Sequence, residues 1–198
     1  EFRVDWYEEA ADSKKVVALL EKLRKCLGEL PVLFTFRSSR EGGEAALSDG
    51  AYQSLNEAAI ASGFVDCVDV ELFSGDAVAK AVVAAAHSNH VKVIASNHDF
   101  EKTPAAEELL ARLQKMEALG ADIPKIAVMP QSSKDVLTLL TVTESWKETG
   151  KTPVITMSMA GEGLISRLCG EIFGSAVTFG AAGKSSAPGQ IDAEELRR

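Results

Sequence analysis

The sequence has few cysteines, and none of them lie close together. Cys26, Cys67 and Cys169 are far apart among the 198 residues, and neither a CxxC motif nor a cluster of His and Cys is present. An odd number of isolated cysteines is atypical of a disulfide-stapled secreted domain and of a structural zinc site. The sequence therefore predicts a protein of a reducing, cytoplasmic compartment.

An excess of basic residues and a long hydrophobic run are also missing. The chain has 21 Lys and Arg against 29 Asp and Glu, which gives a formal net charge of −8. This balance disfavours nonspecific binding to nucleic acids and anionic membranes, because phosphate groups attract basic proteins. No apolar run reaches the roughly 20 residues that a membrane-spanning helix needs. We therefore expect no nucleic-acid or membrane partner. The length of the chain predicts a single domain over residues 1–198.

Short apolar runs alternate with longer amphipathic segments along the whole chain. This alternation predicts parallel strands covered by helices, either as a closed barrel or as an open doubly wound sheet. The first strand–helix junction lacks the GxGxxG motif of dinucleotide-binding sheets, which counts against the open sheet. Only seven strands are predicted, whereas a complete barrel needs eight. The seven predicted strands are Phe2–Val4, Pro31–Phe36, Cys67–Leu72, Val91–Ser96, Ile123–Met129, Pro153–Met159 and Ala176–Phe179. The predicted helices are Lys14–Leu27, Asp49–Ser62, Asp76–His87, Glu107–Leu119, Asp135–Trp146 and Gly163–Phe173.

Polar residues occupy or follow the predicted strands near their carboxyl ends, although buried parallel strands are usually apolar throughout. If these side chains point inward, acids and bases converge at the mouth where barrel enzymes place their chemistry. Other interpretations remain open: an ion pair between Glu1 and Arg3 on an edge strand, a capping role for His98, and orienting roles for Asp69 and Glu71. The polar residues are Glu1, Arg3, Asp5, Thr35, Arg37, Asp69, Glu71, Ser96, His98 and Lys125.

Lys125 is the most informative of these residues, because apolar residues flank it on both sides in a predicted strand. Burial of an ammonium group favours its neutral form, and a neutral amine can attack a carbonyl to form a Schiff base. The alternative is a buried ion pair.

Two loops and one arginine add to the candidate site. The segment Arg37–Gly43 supplies Glu41 together with two glycines, and Gly180–Gln190 lacks P-loop spacing and is interpreted as a mobile lid. Arg167 suits a substrate carboxylate, because guanidinium binds this anion bidentately; it could instead be a surface charge of a helix.

Together these motifs resemble type I 3-dehydroquinase, an enzyme family of the shikimate pathway. The resemblance runs over essentially the whole chain, in the same order as the family. The matching segments are Glu1–Asp5, Leu33–Ser38, Glu41–Gly43, Asp69–Leu72, Ser96–Phe100, Asp122–Ala127, Met157–Met159 and Ser186–Gln190.

The resemblance implies a (β/α)8 TIM-type barrel that works as a homodimer without metal or cofactor. The family has a first strand before the position of Glu1 and continues its last helix beyond Arg198, so we expect a barrel shortened at both ends.

The resemblance also implies roles for individual residues in the dehydration of 3-dehydroquinate to 3-dehydroshikimate. Lys125 corresponds to the Schiff-base lysine, His98 to the general acid/base and Glu41 to the glutamate that orients this histidine. Substrate contacts fall on Glu1, Arg3, Arg37, Met157, Arg167, Ser186 and Gln190.

Two other functions remain as alternatives. One is a class I aldolase-like Schiff-base enzyme, which would need a phosphate site in the last two loops. The other is an inactive barrel that only binds a ligand.

Overall fold

A computed structural model describes residues 1–183 and 185–197, and the chain divides into two units. The first unit consists of Glu1–Ser96 and Ala118–Asp122, and the second of Asn97–Glu117 and Ile123–Arg198. Strands and helices alternate along the chain as predicted, and six of the seven predicted strands are present.

The first unit contains a parallel sheet with the order β1-β2-β3-β4. In the register, Arg3 pairs with Thr35, Phe34 with Val68, and Glu71 with Ser96. The strands are β1 (Phe2–Arg3), β2 (Leu33–Thr35), β3 (Cys67–Glu71) and β4 (Lys92–Asp99), whose last three residues belong to the second unit. The helices are α1 (Ser13–Leu27), α2 (Asp49–Ala61) and α3 (Asp76–Ser88).

Capping residues and apolar stripes explain where these helices form. Asp12 accepts hydrogen bonds from the backbone N–H groups of Lys14 and Lys15 and so begins α1. Val16 and Leu20 lie on one face of α1 and are fully buried. Burial of this stripe stabilises the helix more than its intrinsic propensity does.

Asp122 joins the C-terminal end of α3 to the start of β4. Its carboxylate accepts hydrogen bonds from Lys92 Nζ at 2.8 Å and the Val93 backbone N–H at 2.9 Å, and lies 3.0 Å from His87 Nε2. Burial opposes ionisation of this group, but the bonds from Lys92, Val93 and His87 outweigh it and lower the pKa of Asp122. The ionised carboxylate therefore stabilises the fold.

Replacing Asp122 with asparagine should lower the free energy of unfolding by about 1 kcal/mol at pH 7, because a charge-assisted hydrogen bond is lost. A pKa lowered by folding gives stabilisation that disappears as the pH falls through the folded value. The difference between wild type and Asp122→Asn should thus narrow below about pH 4. Urea unfolding at several pH values measures it, with the exposed Glu144→Gln as control. A difference that is constant with pH would contradict the prediction.

The second unit contains the parallel pair β5 (Ile123–Val128) and β6 (Ile155–Ser158), in which Lys125 pairs with Ile155 and Ala127 with Met157. Its helices are α4 (Ala106–Ala118), α5 (Ser133–Thr149), α6 (Leu164–Leu168), α7 (Gly170–Phe173) and α8 (Ala193–Leu196). The predicted helix Gly163–Phe173 is therefore two short helices, because Cys169 leaves the helical conformation, with φ −116° and ψ 10°. No helix in the described part of the chain is both long and apolar enough to span a membrane.

The predicted strand Ala176–Phe179 is wrong. Only Ser175 forms a bridge, with Val154, and Ala176, Val177 and Thr178 are exposed. Ser175 Oγ accepts a hydrogen bond from the Thr156 backbone N–H at 3.1 Å and donates one to the Thr156 carbonyl at 3.3 Å. Because this side chain occupies the polar groups of β6 that a neighbouring strand would use, the ladder stops after one bridge.

Candidate active site

Arg37 is the centre of a buried charge cluster in the first unit. Its guanidinium lies 2.8 Å from Asp69 Oδ1, 3.1 Å from Glu71 Oε1 and 3.6 Å from Glu41 Oε2. It also donates to Ser96 Oγ at 2.9 Å. Burial alone lowers the pKa of Arg37, but the surrounding carboxylates outweigh burial and raise it. The guanidinium thus remains charged although only 3% of its surface is exposed.

Glu71 is held in this cluster by hydrogen bonds from its own neighbourhood. Its carboxylate accepts from the Ser38 backbone N–H at 2.8 Å and from Ser38 Oγ at 2.7 Å, and its backbone N–H donates to the Tyr52 hydroxyl at 3.0 Å. Burial, together with the charges of Glu71 and Asp69, raises the pKa of Tyr52. Asp69 and Glu71 both contact Arg37, and an orienting role for these two acids stays a prediction.

Arg3 pairs with Asp5, which lies in the short 3₁₀ turn Val4–Trp6 after β1. Both carboxylate oxygens accept from the guanidinium at 2.7 Å, and they also accept from the backbone N–H groups of Arg37 and Glu44. Glu1 accepts a hydrogen bond from Thr35 Oγ1 at 2.9 Å. Asp5 therefore connects β1 to both ends of the loop that contains Glu41.

This loop needs a glycine at position 43. A Cβ atom there would lie 1.8 Å from the Arg37 carbonyl oxygen, and the Gly43 backbone N–H donates to the Ser38 carbonyl at 2.8 Å. The tight approach folds the chain back at Ser39–Glu41 and leaves Glu41 only 5% exposed. Glu41 is therefore a buried acid.

In the second unit, Lys125 lies on β5 and is 4% exposed. Its Nζ atom is 4.4 Å from the centroid of the Phe179 ring. Because side chains alternate along a strand and paired residues of neighbouring strands point the same way, Lys125 shares a face with Met157. Lys125 is therefore a buried lysine that lies beside an aromatic ring, on the face of the sheet that also carries Met157.

Arg167 is buried on α6, so a surface helix charge is excluded. Its Nη1 lies 3.5 Å from Met157 Sδ, and its Nη2 donates to the Pro188 carbonyl at 3.3 Å. Its Nε–H is buried without a hydrogen-bond partner among residues 1–183 and 185–197. Burial lowers the pKa of Arg167. A buried guanidinium with an unsatisfied donor is suited to receive an anion.

The loop before α8 is fixed by its own polar side chains. Gln190 Oε1 accepts from the Ser186 backbone N–H at 2.8 Å and from Ser186 Oγ at 3.1 Å. The Pro188 carbonyl accepts from the Ala160 backbone N–H at 3.2 Å. Lys184, within the predicted lid, lies outside the described residues, and movement of this loop stays a prediction.

His98 is the penultimate residue of β4, and its ring stacks on Phe100 with centroids 6.4 Å apart. The turn after the strand is instead capped by Asp99, whose Oδ1 accepts from the backbone N–H groups of Glu101 and Lys102. Because α4 begins only at Ala106, the structure gives no support to His98 as a helix cap.

Ser38 and Tyr52 are not among the predicted site residues, although both bind Glu71 directly. Ser38 follows Arg37 in the chain, and a polar residue at the end of a strand is a usable signal. Tyr52 lies on an otherwise ordinary helix, so only the folded chain shows its contact. No group of three His, Cys, Asp or Glu side chains that could hold a metal ion occurs in the described ranges.

The family model described as Type I 3-dehydroquinase matches residues 1–198. The chain belongs to the type I 3-dehydroquinase family. This match confirms the resemblance inferred from the sequence motifs. The two alternatives of an aldolase and a ligand-binding barrel receive no comparable support.

Curated relatives of this type I 3-dehydroquinase are similar along its full length. The 3-dehydroquinate dehydratase of Listeria monocytogenes serotype 4b is 59% identical over 197 residues, which are 100% of this chain and 78% of the relative. The enzyme of the same name from Escherichia coli O139:H28 is 58% identical over 198 residues, which cover 79% of that protein.

Solved structures of the family share the fold. Type I 3-dehydroquinate dehydratase from Clostridium difficile, determined with covalently modified comenic acid, superposes with a TM-score of 0.94 at 55% identity. The match covers 98% of this chain and 77% of that one. The Geobacillus kaustophilus enzyme gives a TM-score of 0.95 at 44% identity over 98% of this chain and 76% of that one. These superpositions confirm the predicted class of TIM-type α/β barrel.

Proposed function

We propose that this 3-dehydroquinase converts 3-dehydroquinate to 3-dehydroshikimate and water through a Schiff base on Lys125. The observation that carries the proposal is a lysine buried in an apolar strand. Family membership supplies the substrate, and the covalently modified ligand of the C. difficile relative agrees with covalent chemistry in the family.

In the first step, Lys125 Nζ attacks the C3 carbonyl carbon of the substrate. The carbinolamine takes up one proton from solvent and loses water, and a protonated imine results. The positive imine nitrogen withdraws electrons from the adjacent C2–H bond, so the C2 proton becomes acidic. The attacking species is the neutral amine, whose lone pair forms the new C–N bond.

In the second step, His98 removes the C2 proton and an enamine forms. The enamine electrons expel the C1 hydroxyl group, to which His98 returns the proton, and water leaves. Hydrolysis of the imine then releases 3-dehydroshikimate and restores Lys125. Proton transfer of this kind contributes about 10²–10⁴-fold to the rate. Orientation of His98 by Glu41 is part of this proposal.

Substrate binding is assigned to the remaining predicted residues. Arg167 binds the substrate carboxylate, and Met157 lines the pocket beside Lys125. The hydroxyl groups and the carboxylate of the substrate are further held by Glu1, Arg3, Arg37, Ser186 and Gln190. Within the second unit, support comes from the Arg167–Met157 contact and from the order of the Ser186–Gln190 loop.

Replacing Arg167 with glutamine should raise KM for 3-dehydroquinate and lower kcat/KM by about 10–100-fold, since a charge-assisted hydrogen bond of roughly 1.5–3 kcal/mol is lost. Arg167→Lys keeps the positive charge but lacks the planar guanidinium, so its kcat/KM should lie between those of wild type and Arg167→Gln. Steady-state kinetics measures the effect, with the exposed Lys151→Gln as control. An unchanged KM in Arg167→Gln would contradict the assignment.

Borohydride trapping tests the proposed function. The protein is incubated with 3-dehydroquinate, reduced, digested and analysed by peptide mass spectrometry. We expect a reduced adduct on Lys125 and turnover to 3-dehydroshikimate. Binding of product without an adduct, by protein shown to be folded, would favour the inactive ligand-binding barrel. An adduct with phosphosugars but not with 3-dehydroquinate would favour the aldolase-like enzyme.

We further propose that residues 1–198 act as one catalytic domain and that the protein is a cytoplasmic homodimer that uses no metal or cofactor. These assignments rest on the family resemblance and on the cysteine pattern.

A further inference from the structure

Arg112, on the outer helix α4, contacts both residues that flank His98 in β4. Its Nη1 donates a hydrogen bond of 2.6 Å to Asn97 Oδ1 and lies 3.7 Å from Asp99 Oδ2. Asn97 is 2% exposed, and the Arg112 side chain is 15% exposed. One guanidinium group therefore links the two neighbours of His98.

The alternation of side chains along β4 makes this contact significant for His98. Asn97 and Asp99 point to the face that meets Arg112, whereas His98 points to the opposite face. Arg112 thus restrains β4 from the face opposite to His98, and it can do so without contacting the imidazole. Arg112 also forms an ion pair with Glu108, one turn earlier on α4, but the Glu108 side chain is 50% exposed, and an exposed pair contributes little to holding its partner.

Asp99 extends the same support into the following turn. Its Oδ1 accepts hydrogen bonds from the backbone N–H groups of Glu101 and Lys102, at 3.2 Å and 3.1 Å. Its carbonyl accepts from the Met129 backbone N–H at 2.9 Å, which ties the end of β4 to the end of β5. The backbone at position 98 is therefore restrained on both sides.

We propose that Arg112 is a positioning residue for His98 and sets its rate of proton transfer. The inference rests on the proposed role of His98 as general acid/base. A displacement of about 1 Å in a reacting group can cost on the order of 100-fold in rate. Because Arg112 is a partly exposed residue of an outer helix, its effect should appear in kcat with little change in substrate binding.

The test compares Arg112→Gln and Arg112→Lys with the control Glu108→Gln. The control removes an ion-pair partner of Arg112 but leaves Asn97 and Asp99 untouched. For each protein, steady-state kinetics gives kcat and KM, and borohydride trapping gives the fraction of molecules that form the Lys125 adduct. If Arg112 had only a structural role, its replacement would lower the fraction of correctly folded molecules. Dividing kcat by the adduct-forming fraction corrects for this loss.

We expect Arg112→Gln to lower kcat per adduct-forming site by about tenfold with KM within about twofold of wild type. Arg112→Lys should restore part of the rate, and Glu108→Gln should match wild type. The inference is overturned if the loss in Arg112→Gln disappears after the correction, or if it equals that of Glu108→Gln. Failure of the proposed function looks different: wild type forms no Lys125 adduct, or His98→Asn retains full turnover.

Discussion

Replacing Lys125 with alanine should abolish turnover of 3-dehydroquinate and the borohydride adduct while the protein stays folded. Every later step of the proposed reaction proceeds through the imine, so its loss should lower kcat by more than about 10³-fold. Turnover is followed by the absorbance of the conjugated product, and folding by circular dichroism.

Two further lysine variants separate covalent chemistry from charge. Lys125→Arg keeps a positive group beside Phe179, but a guanidinium stays protonated and cannot form the imine. This variant should therefore be as inactive as Lys125→Ala. Lys134→Ala removes an exposed lysine and should behave as wild type. Substantial turnover by Lys125→Arg would show that Lys125 acts through its charge and would contradict the Schiff-base mechanism.

Much of the fold was predictable because buried parallel strands are apolar runs of a characteristic length. Ile123–Val128 follows this rule apart from Lys125, whereas Cys67–Glu71 carries the charges of Asp69 and Glu71 between its apolar residues. Ala176–Phe179 has the same composition but is not a strand. The Ser175 side chain accepts the hydrogen bond that the Thr156 backbone N–H would give to a neighbouring strand. A contact of this kind leaves no periodic pattern in the sequence.

The contacts between residues of the candidate site were less predictable from the sequence than the identity of those residues. Arg3 and Asp5 were both expected on one face, but their bidentate pairing depends on the 3₁₀ turn at Val4–Trp6. The contacts of Tyr52 with Glu71 and of Arg112 with Asn97 join residues of a helix and a strand. Such contacts are set by how helices pack on the sheet, which residue spacing along the chain does not encode.

Replacing Arg37 with leucine should destabilise the protein by about 3–5 kcal/mol, which is the usual cost of removing one partner from a buried ion pair. The change leaves Asp69 and Glu71 buried without their guanidinium partner. Urea unfolding at pH 8 measures the loss. Lys25→Gln breaks an exposed pair with Glu21 and serves as the control, with an expected change below about 0.5 kcal/mol.

Two further measurements show whether uncompensated charge causes the loss. A buried carboxyl group without a counter-charge favours its protonated form, so folding of Arg37→Leu should take up protons and its deficit relative to wild type should shrink from pH 8 to pH 5. Adding Glu71→Gln removes one negative charge but keeps an acceptor for Ser38, and should recover part of the stability. If the deficit is independent of pH and the second change only adds to it, lost packing rather than charge explains the result. The cluster would then be a well-packed polar core, not a set of acids that requires Arg37 as its counter-charge.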